Sequence, residues 1–285
     1  MDFYLIIWVL LMALASNLCF FIIAFIFKTD IFTDITYCLS FILLSTFIVI
    51  WKQNFSPVQI CLLVLYNLWA LRLGSYLLTR IIITKVDHRF DKIRHSFCKF
   101  GLFWILQALS VFIISLPTIF ALSLDEVYFN TKFNYYLIIF IFLALLFLVI
   151  ETIADCQKFQ FYLKKTKKDQ FLNYGLWKDC RHPNYLGEIG FWYAMTGLML
   201  CDLFFNNLNS DNLNYLLHLL WLLSPLYLNI LLVKISGVPL LEIKQWTKFQ
   251  KQVEYQTYLK NTSCVLFYIG KKGPINKVKK INSKK

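Results

Sequence analysis

The chain has 285 residues, of which 59% are hydrophobic and 16% charged, and its formal net charge is +13. So apolar a composition excludes an ordinary water-soluble domain. The positive excess invites a nucleic-acid reading, but the placement of the basic residues argues against one.

Apolar stretches of about 20 residues recur along the chain, enough at about 1.5 Å per residue to cross a bilayer core of about 30 Å. Spans are expected at 3–27, 35–51, 58–83, 101–122, 134–155, 184–204 and 213–237. They are apolar all round rather than alternating, so helices are expected and membrane strands are not. The first span lacks a basic leader and a small-residue cleavage site and is longer than a signal-peptide core, so it reads as a retained span. The resulting expectation is an all-α, polytopic membrane protein with about seven transmembrane helices. Residues 1–270 form one helical domain in this reading, and 271–285 a basic, disordered tail.

The segments after the first, third, fifth and seventh spans hold 24 of the 29 Lys and Arg residues; those after the second, fourth and sixth hold only Lys52 and Lys132. Arg72, Arg80 and Lys234 lie within or at the ends of spans. Retention of basic residues on the cytoplasmic side puts the N-terminus outside and the C-terminus inside. A Lys-rich tail on that side is explained by attraction to anionic lipid headgroups, with no nucleic acid required. The eight cysteines are scattered without a CxxC pair, so neither a disulfide framework nor a metal site is expected. The sequon at Asn261 falls on the cytoplasmic side, where it is not glycosylated.

Ionisable groups inside spans are costly and need a partner or a purpose. In the third span Trp69, Arg72, Tyr76 and Arg80 share one helical face. The arginines either pair with an acidic residue of a neighbouring span, such as Asp34, or hold a cofactor phosphate or substrate. The segment from Asp87 to Arg94 alternates charge signs, and Arg89 is a candidate phosphate ligand there unless the loop is merely solvated. At the end of the fifth span Glu151, Asp155, Lys158 and Tyr162 form one stripe. Its carboxylates repel one another unless a cation intervenes, and either accept hydrogen bonds from a nucleotide or pair with Arg72.

Gly175-Leu-Trp-Lys-Asp-Cys-Arg-His-Pro-Asn-Tyr-Leu-Gly-Glu188 is the most informative segment. Pro183 suits the first turn of a helix, so a helix N-terminus is expected at the membrane surface. Its unpaired N–H groups and dipole favour an anion, and Arg181 and His182 add donors. Tyr185, Glu188 and Trp192 then follow one face into the membrane. The bland alternative is a capped interfacial helix with an aromatic belt. Further on, Trp246, Phe249 and Val253 oppose Lys244, Lys248 and Lys251, as in a helix lying on the membrane surface.

The 175–188 segment with Trp192 resembles the C-terminal signature of the steroid 5-alpha-reductase-like membrane protein family, especially its poorly characterised branch. WALRLGSYLLTRI at 69–81, DHRFDKIR at 87–94, the 107–117 stretch, ETIADCQK at 151–158 and SGVPLLE at 236–242 resemble blocks of that branch in the same order. The likeness covers about 60–268. It implies a seven-span fold that holds NADPH on its cytoplasmic side and reduces an activated carbon–carbon double bond in a lipid-like enone. It carries cofactor contact onto Asp155, Arg181, Asn184, Tyr185 and Glu188, and also onto Arg72, Arg89, Lys158, His182 and Lys234. The acid that holds the substrate carbonyl in steroid-reducing members has no match here; Tyr66 or Tyr76 is a stand-in donor. Isoprenylcysteine and phospholipid methyltransferases share an RHP-x-Y-x-G element, which makes S-adenosylmethionine the rival cofactor, but the paired glutamate they carry is absent at Glu242-Ile243 and Glu254-Tyr255. A non-enzymatic membrane scaffold is the third alternative.

Overall fold

The computed structural model describes residues 3–84, 90–124, 135–164, 169–206 and 220–265. Arg89, Lys132 and the 271–285 tail lie outside them, as does the first part of the 213–237 span. Every regular element among the described residues is helical. They are α1 (Phe3–Ile26), α2 (Ile31–Trp51), α3 (Pro57–Thr84), α4 (Phe97–Ser123), α5 (Tyr135–Lys164), the single turn α6 (Leu176–Asp179), α7 (Pro183–Asn206), α8 (Leu223–Ile230), α9 (Val238–Phe249) and α10 (Val253–Asn261). A 3-10 turn precedes α8, and a π turn at Leu231–Ile235 follows it.

Six stretches are long and apolar enough to cross a membrane: Tyr4–Ile26, Ile31–Trp51, Pro57–Ile83, Phe97–Ser123, Tyr135–Lys164 and Leu220–Phe249. The protein is an integral, multi-pass membrane protein. The span expected at 184–204 corresponds to α7, whose 24 residues suffice in length. Its first half is less apolar because it carries Asn184, Glu188, Gly187 and Gly190. Large apolar side chains point outward along the long helices, among them Trp8, Ile22, Ile50, Leu71, Phe142 and Val149, as a lipid-facing surface requires.

The chain groups into two units, with boundaries inside α5, α7 and α8. In the first, comprising residues 1–142 and 194–224, α1, α2 and α4 pack around Phe21, Phe100 and Trp104 and share a buried polar knot. Asn17 donates to Ser40 Oγ at 3.1 Å, and Gln107 donates to Asn17 Oδ1 and to the Thr33 carbonyl, both at 3.0 Å. Such bonds join helices where lipid offers no hydrophobic drive between them. The start of α3 carries a reciprocal cap: Ser56 Oγ accepts from the Gln59 N–H at 3.3 Å, and Gln59 Oε1 accepts from the Ser56 N–H at 3.0 Å.

The second unit comprises residues 143–193 and 225–285. Here α7 lays Gly187 and Gly190 against α5. A β-carbon at Gly187 would lie 2.6–2.8 Å from Glu151, and one at Gly190 within 2.5 Å of the Phe147 ring. Small residues permit this approach of two backbones. The single surface helix expected through Val253 is instead two helices: α9 ends at Phe249, and α10 restarts at Val253. Phe249 turns inward against Phe171 and Tyr255, which folds α10 back and leaves Val253 exposed.

Candidate functional site

In the second unit, Gly175 has φ +58, a left-handed conformation that glycine adopts without strain. The Gln157 side chain of α5 occupies the place where a β-carbon would sit and accepts a hydrogen bond from the Leu176 N–H at 3.0 Å. Trp177 then turns inward and donates Nε1–H to the Ala154 carbonyl at 3.0 Å, while the Lys158 ammonium lies 5.5 Å from its ring centroid.

The carbonyls that α6 leaves without helical partners are met by α10 and the residues after it. Tyr258 Oη donates to the Trp177 carbonyl at 2.6 Å, Thr262 Oγ1 to that of Lys178 at 3.1 Å, and Ser263 Oγ to that of Asp179 at 3.1 Å. The Arg181 N–H completes the clasp on the Ser263 carbonyl at 3.0 Å, beside a parallel bridge between Cys180 and Ser263. Thr262 and Ser263 of the sequon are therefore buried structural groups.

This clasp holds a charged cluster away from water. Arg181 is 2% exposed, His182 0% and Glu242 2%. Glu242 Oε1 lies 3.3 Å from Arg181 Nε and 2.9 Å from His182 Nε2, and Arg181 Nη1 donates to the Leu259 carbonyl at 3.3 Å. Burial holds the His182 imidazole below its ordinary pKa of 6.5; Glu242 opposes that shift, and Arg181 and Lys158 reinforce it. His182 is accordingly neutral at neutral pH, with its proton on Nε2 facing the carboxylate. Burial also pushes the Cys180 thiol up to about 12 and keeps Tyr255 and Tyr258 as phenols.

A pH dependence follows. Between His182's lowered pKa and the free-histidine value of about 6.5, the unfolded chain binds more protons than the folded one. Stability therefore rises with pH across that window; it is complete above about 6.5 and lost as pH falls through the folded pKa. The melting temperature in detergent should drop on acidification from neutrality, and His182→Gln should flatten that slope.

Pro183 opens α7 as its sequence position predicts. One residue on, Asn184 Nδ2 donates to Asp155 Oδ1 at 3.2 Å, and Tyr185 stacks on His182 with ring centroids 5.6 Å apart and planes 13° apart. Tyr185 also meets Gly237, where a β-carbon would lie 2.9 Å from its ring. Asp155 and Lys158 on α5, Arg181 and His182 just before α7, and Asn184, Tyr185 and Glu188 on α7 thus all belong to the second unit. Lys234 is in the same unit, exposed on the π turn, a distortion frequent at functional sites.

The α3 candidates belong to the first unit. The Arg72 guanidinium lies 5.9 Å from the Tyr76 ring centroid, and Arg80 pairs with Asp34. Tyr66 is fully buried and donates to Ser115 Oγ at 2.9 Å. Sequence reasoning gave Glu242 no role in the site, although it closes the SGVPLLE block as a lone carboxylate after an apolar run. It also missed a grouping of potential metal ligands distant in sequence: atoms of His182, Glu242 and Cys264 lie within 4.8 Å of one another. The Arg181 guanidinium already balances Glu242 there.

Residues 20–262 match the family described as "Protein of unknown function (DUF1295)". The chain belongs to the DUF1295 family. This family is linked to the steroid 5-alpha-reductase-like branch, in agreement with the ordered blocks of the sequence. No curated protein and no solved structure matches the chain. The DUF1295 match takes in parts of both units, including the α6–α7 segment, Glu242 and all of α10.

Proposed function

We propose that this DUF1295 protein is a membrane-embedded, NADPH-dependent reductase of the carbon–carbon double bond of a lipid-like enone, with seven spans, an outer N-terminus and a cytoplasmic C-terminus. The observation that carries the reading is the meeting of Asp155 with Asn184 beside the His182–Tyr185 stack, which joins two of the reductase-like sequence blocks into one polar cluster. The residues fit a nucleotide in one testable respect: His182 Nδ1 and Asn184 Oδ1 are buried acceptors with no hydrogen-bond partner among the described residues. Asp155, Lys158, His182, Asn184, Tyr185 and Glu188 would hold the cofactor.

NADPH, when bound, supplies a hydride. The chain's own contribution is orientation and dryness. Asp155 fixes which way the Asn184 amide points, Glu242 fixes the His182 tautomer, and Trp192 gives α7 a buried apolar wall where water would otherwise compete. An apolar substrate enters from lipid, the phase in which the protein is embedded.

A second reading keeps one support. Glu242 touches both residues that begin the RHP-x-Y-x-G element, as a single glutamate serving an S-adenosylmethionine site would. Thermal shifts of the purified protein with each cofactor decide between them. NADPH is expected to raise the melting temperature and to be consumed with a lipid extract. Preferential stabilisation by S-adenosylmethionine, or no response to NADPH, overturns the reductase.

A further inference from the structure

We propose that the outward side of α9 is a docking surface for the anionic headgroups of phospholipids, with Lys244, Lys248 and Lys251 as the contacts. The inference does not depend on the cofactor reading.

Lys244 and Lys248 are one turn apart on α9, and Lys251 follows about a turn later, just past the helix end at Phe249, so the three fall along one side. All three are exposed, as are Leu240 and Thr247 on the same side. The inward side is already occupied. Glu242 is buried against Arg181 and His182, and Phe249 against Phe171 and Tyr255. Those contacts fix the roll of the helix and hold the lysines outward. Lys248 lies 5.1 Å from the Phe249 ring centroid, and among the described residues none of the three lysines forms an ion pair. Glu254 is the single acidic residue between positions 243 and 265, against Lys244, Lys248, Lys251 and Lys260, so the local balance is positive.

Depth along the chain selects the occupant. The apolar stretch Leu220–Phe249 exposes Leu226, Ile230, Ile235 and Leu240 in turn, so surface suited to lipid tails reaches as far as Leu240. The first lysine stands one turn beyond it. At the end of a span that is the level of the headgroups, within reach of an ammonium on a flexible four-carbon stem. Lysines are compact point charges that suit mobile headgroups, whereas a fixed phosphate site favours the bidentate fork of arginine. Nucleic acid fits this surface less well. The aromatic rings of α9, Trp246 and Phe249, are packed into the cluster with Tyr255 and Leu259 rather than presented for base stacking.

The test replaces Thr247 with the photocrosslinking residue benzoylphenylalanine in the full chain, reconstituted in nanodiscs of equal phosphatidylglycerol and phosphatidylcholine. Thr247 is exposed among the lysines, and its hydroxyl donates to the Ile243 carbonyl of its own helix, so the position tolerates the label. The label should capture phosphatidylglycerol in preference to phosphatidylcholine, by a ratio that falls as salt is raised. Lys244→Gln combined with Lys248→Gln should lower that ratio severalfold, since each basic residue near an anionic surface is worth about fivefold. Removing the same charge from the tail, with Lys279→Gln and Lys280→Gln, should leave the ratio unchanged. Capture of neither lipid, equal capture of both, or capture of protein or RNA in their place overturns the inference. So does a ratio that responds to the tail lysines and not to those of α9. The label in the chain with all its lysines intact decides the first three outcomes even if a lysine variant fails to fold.

Discussion

Glu242→Ala is expected to destabilise the protein by about 3–5 kcal/mol, the cost of leaving a buried charge without its partner. The substitution removes the carboxylate that faces both Arg181 Nε and His182 Nε2, at a guanidinium with 2% exposure. Loss of packing alone would give a similar fall, so a double substitution separates the two causes. Arg181→Met combined with Glu242→Leu removes both charges and retains volume; it should recover most of the stability lost in Glu242→Ala, because apolar replacement of a whole buried pair is often neutral. Thermal unfolding in detergent measures both variants. A double variant as unstable as the single one would show that Glu242 acts by shape and not by charge.

The same cluster marks the limit of what the sequence reveals. Hydropathy and charge asymmetry are properties of continuous segments, so the helices and the start of α7 at Pro183 are legible from the chain alone. The stripe of Glu151, Asp155 and Lys158 is legible for the same reason, since one helix carries all three. The Arg181–Glu242 contact joins residues 61 positions apart through the turn at Gly237, and no local period encodes it. Without that partner Arg181 reads as a free anion ligand, and with it as half of a buried pair. The break between α9 and α10 escapes for a related reason. The pattern from Trp246 to Val253 is helical in period, but Phe249 and Tyr255 bury themselves against Phe171, and that tertiary contact overrides the continuous helix.

Gly187→Val should separate α5 from α7 and impair stability and NADPH binding together. At Gly187 a β-carbon would lie 2.6 Å from Glu151 Cβ, 2.7 Å from Glu151 N and 2.8 Å from Glu151 Cα. Two of those three atoms are backbone, so no change of rotamer relieves the contact and the helices must move apart. Overpacking of this kind costs about 1–3 kcal/mol. Asn184 is one turn before Gly187 on α7, and Asp155 one turn beyond Glu151 on α5, so the displacement acts directly on the 3.2 Å hydrogen bond between them. Gly187→Ala should show the same two effects in smaller measure. Combining it with Glu151→Ala distinguishes the cause: if the backbone is the obstacle, removing the glutamate side chain leaves the alanine variant unrescued. Recovery of stability and nucleotide affinity in that double variant would instead mean that the Glu151 side chain, and not the approach of the two helices, sets the requirement for glycine.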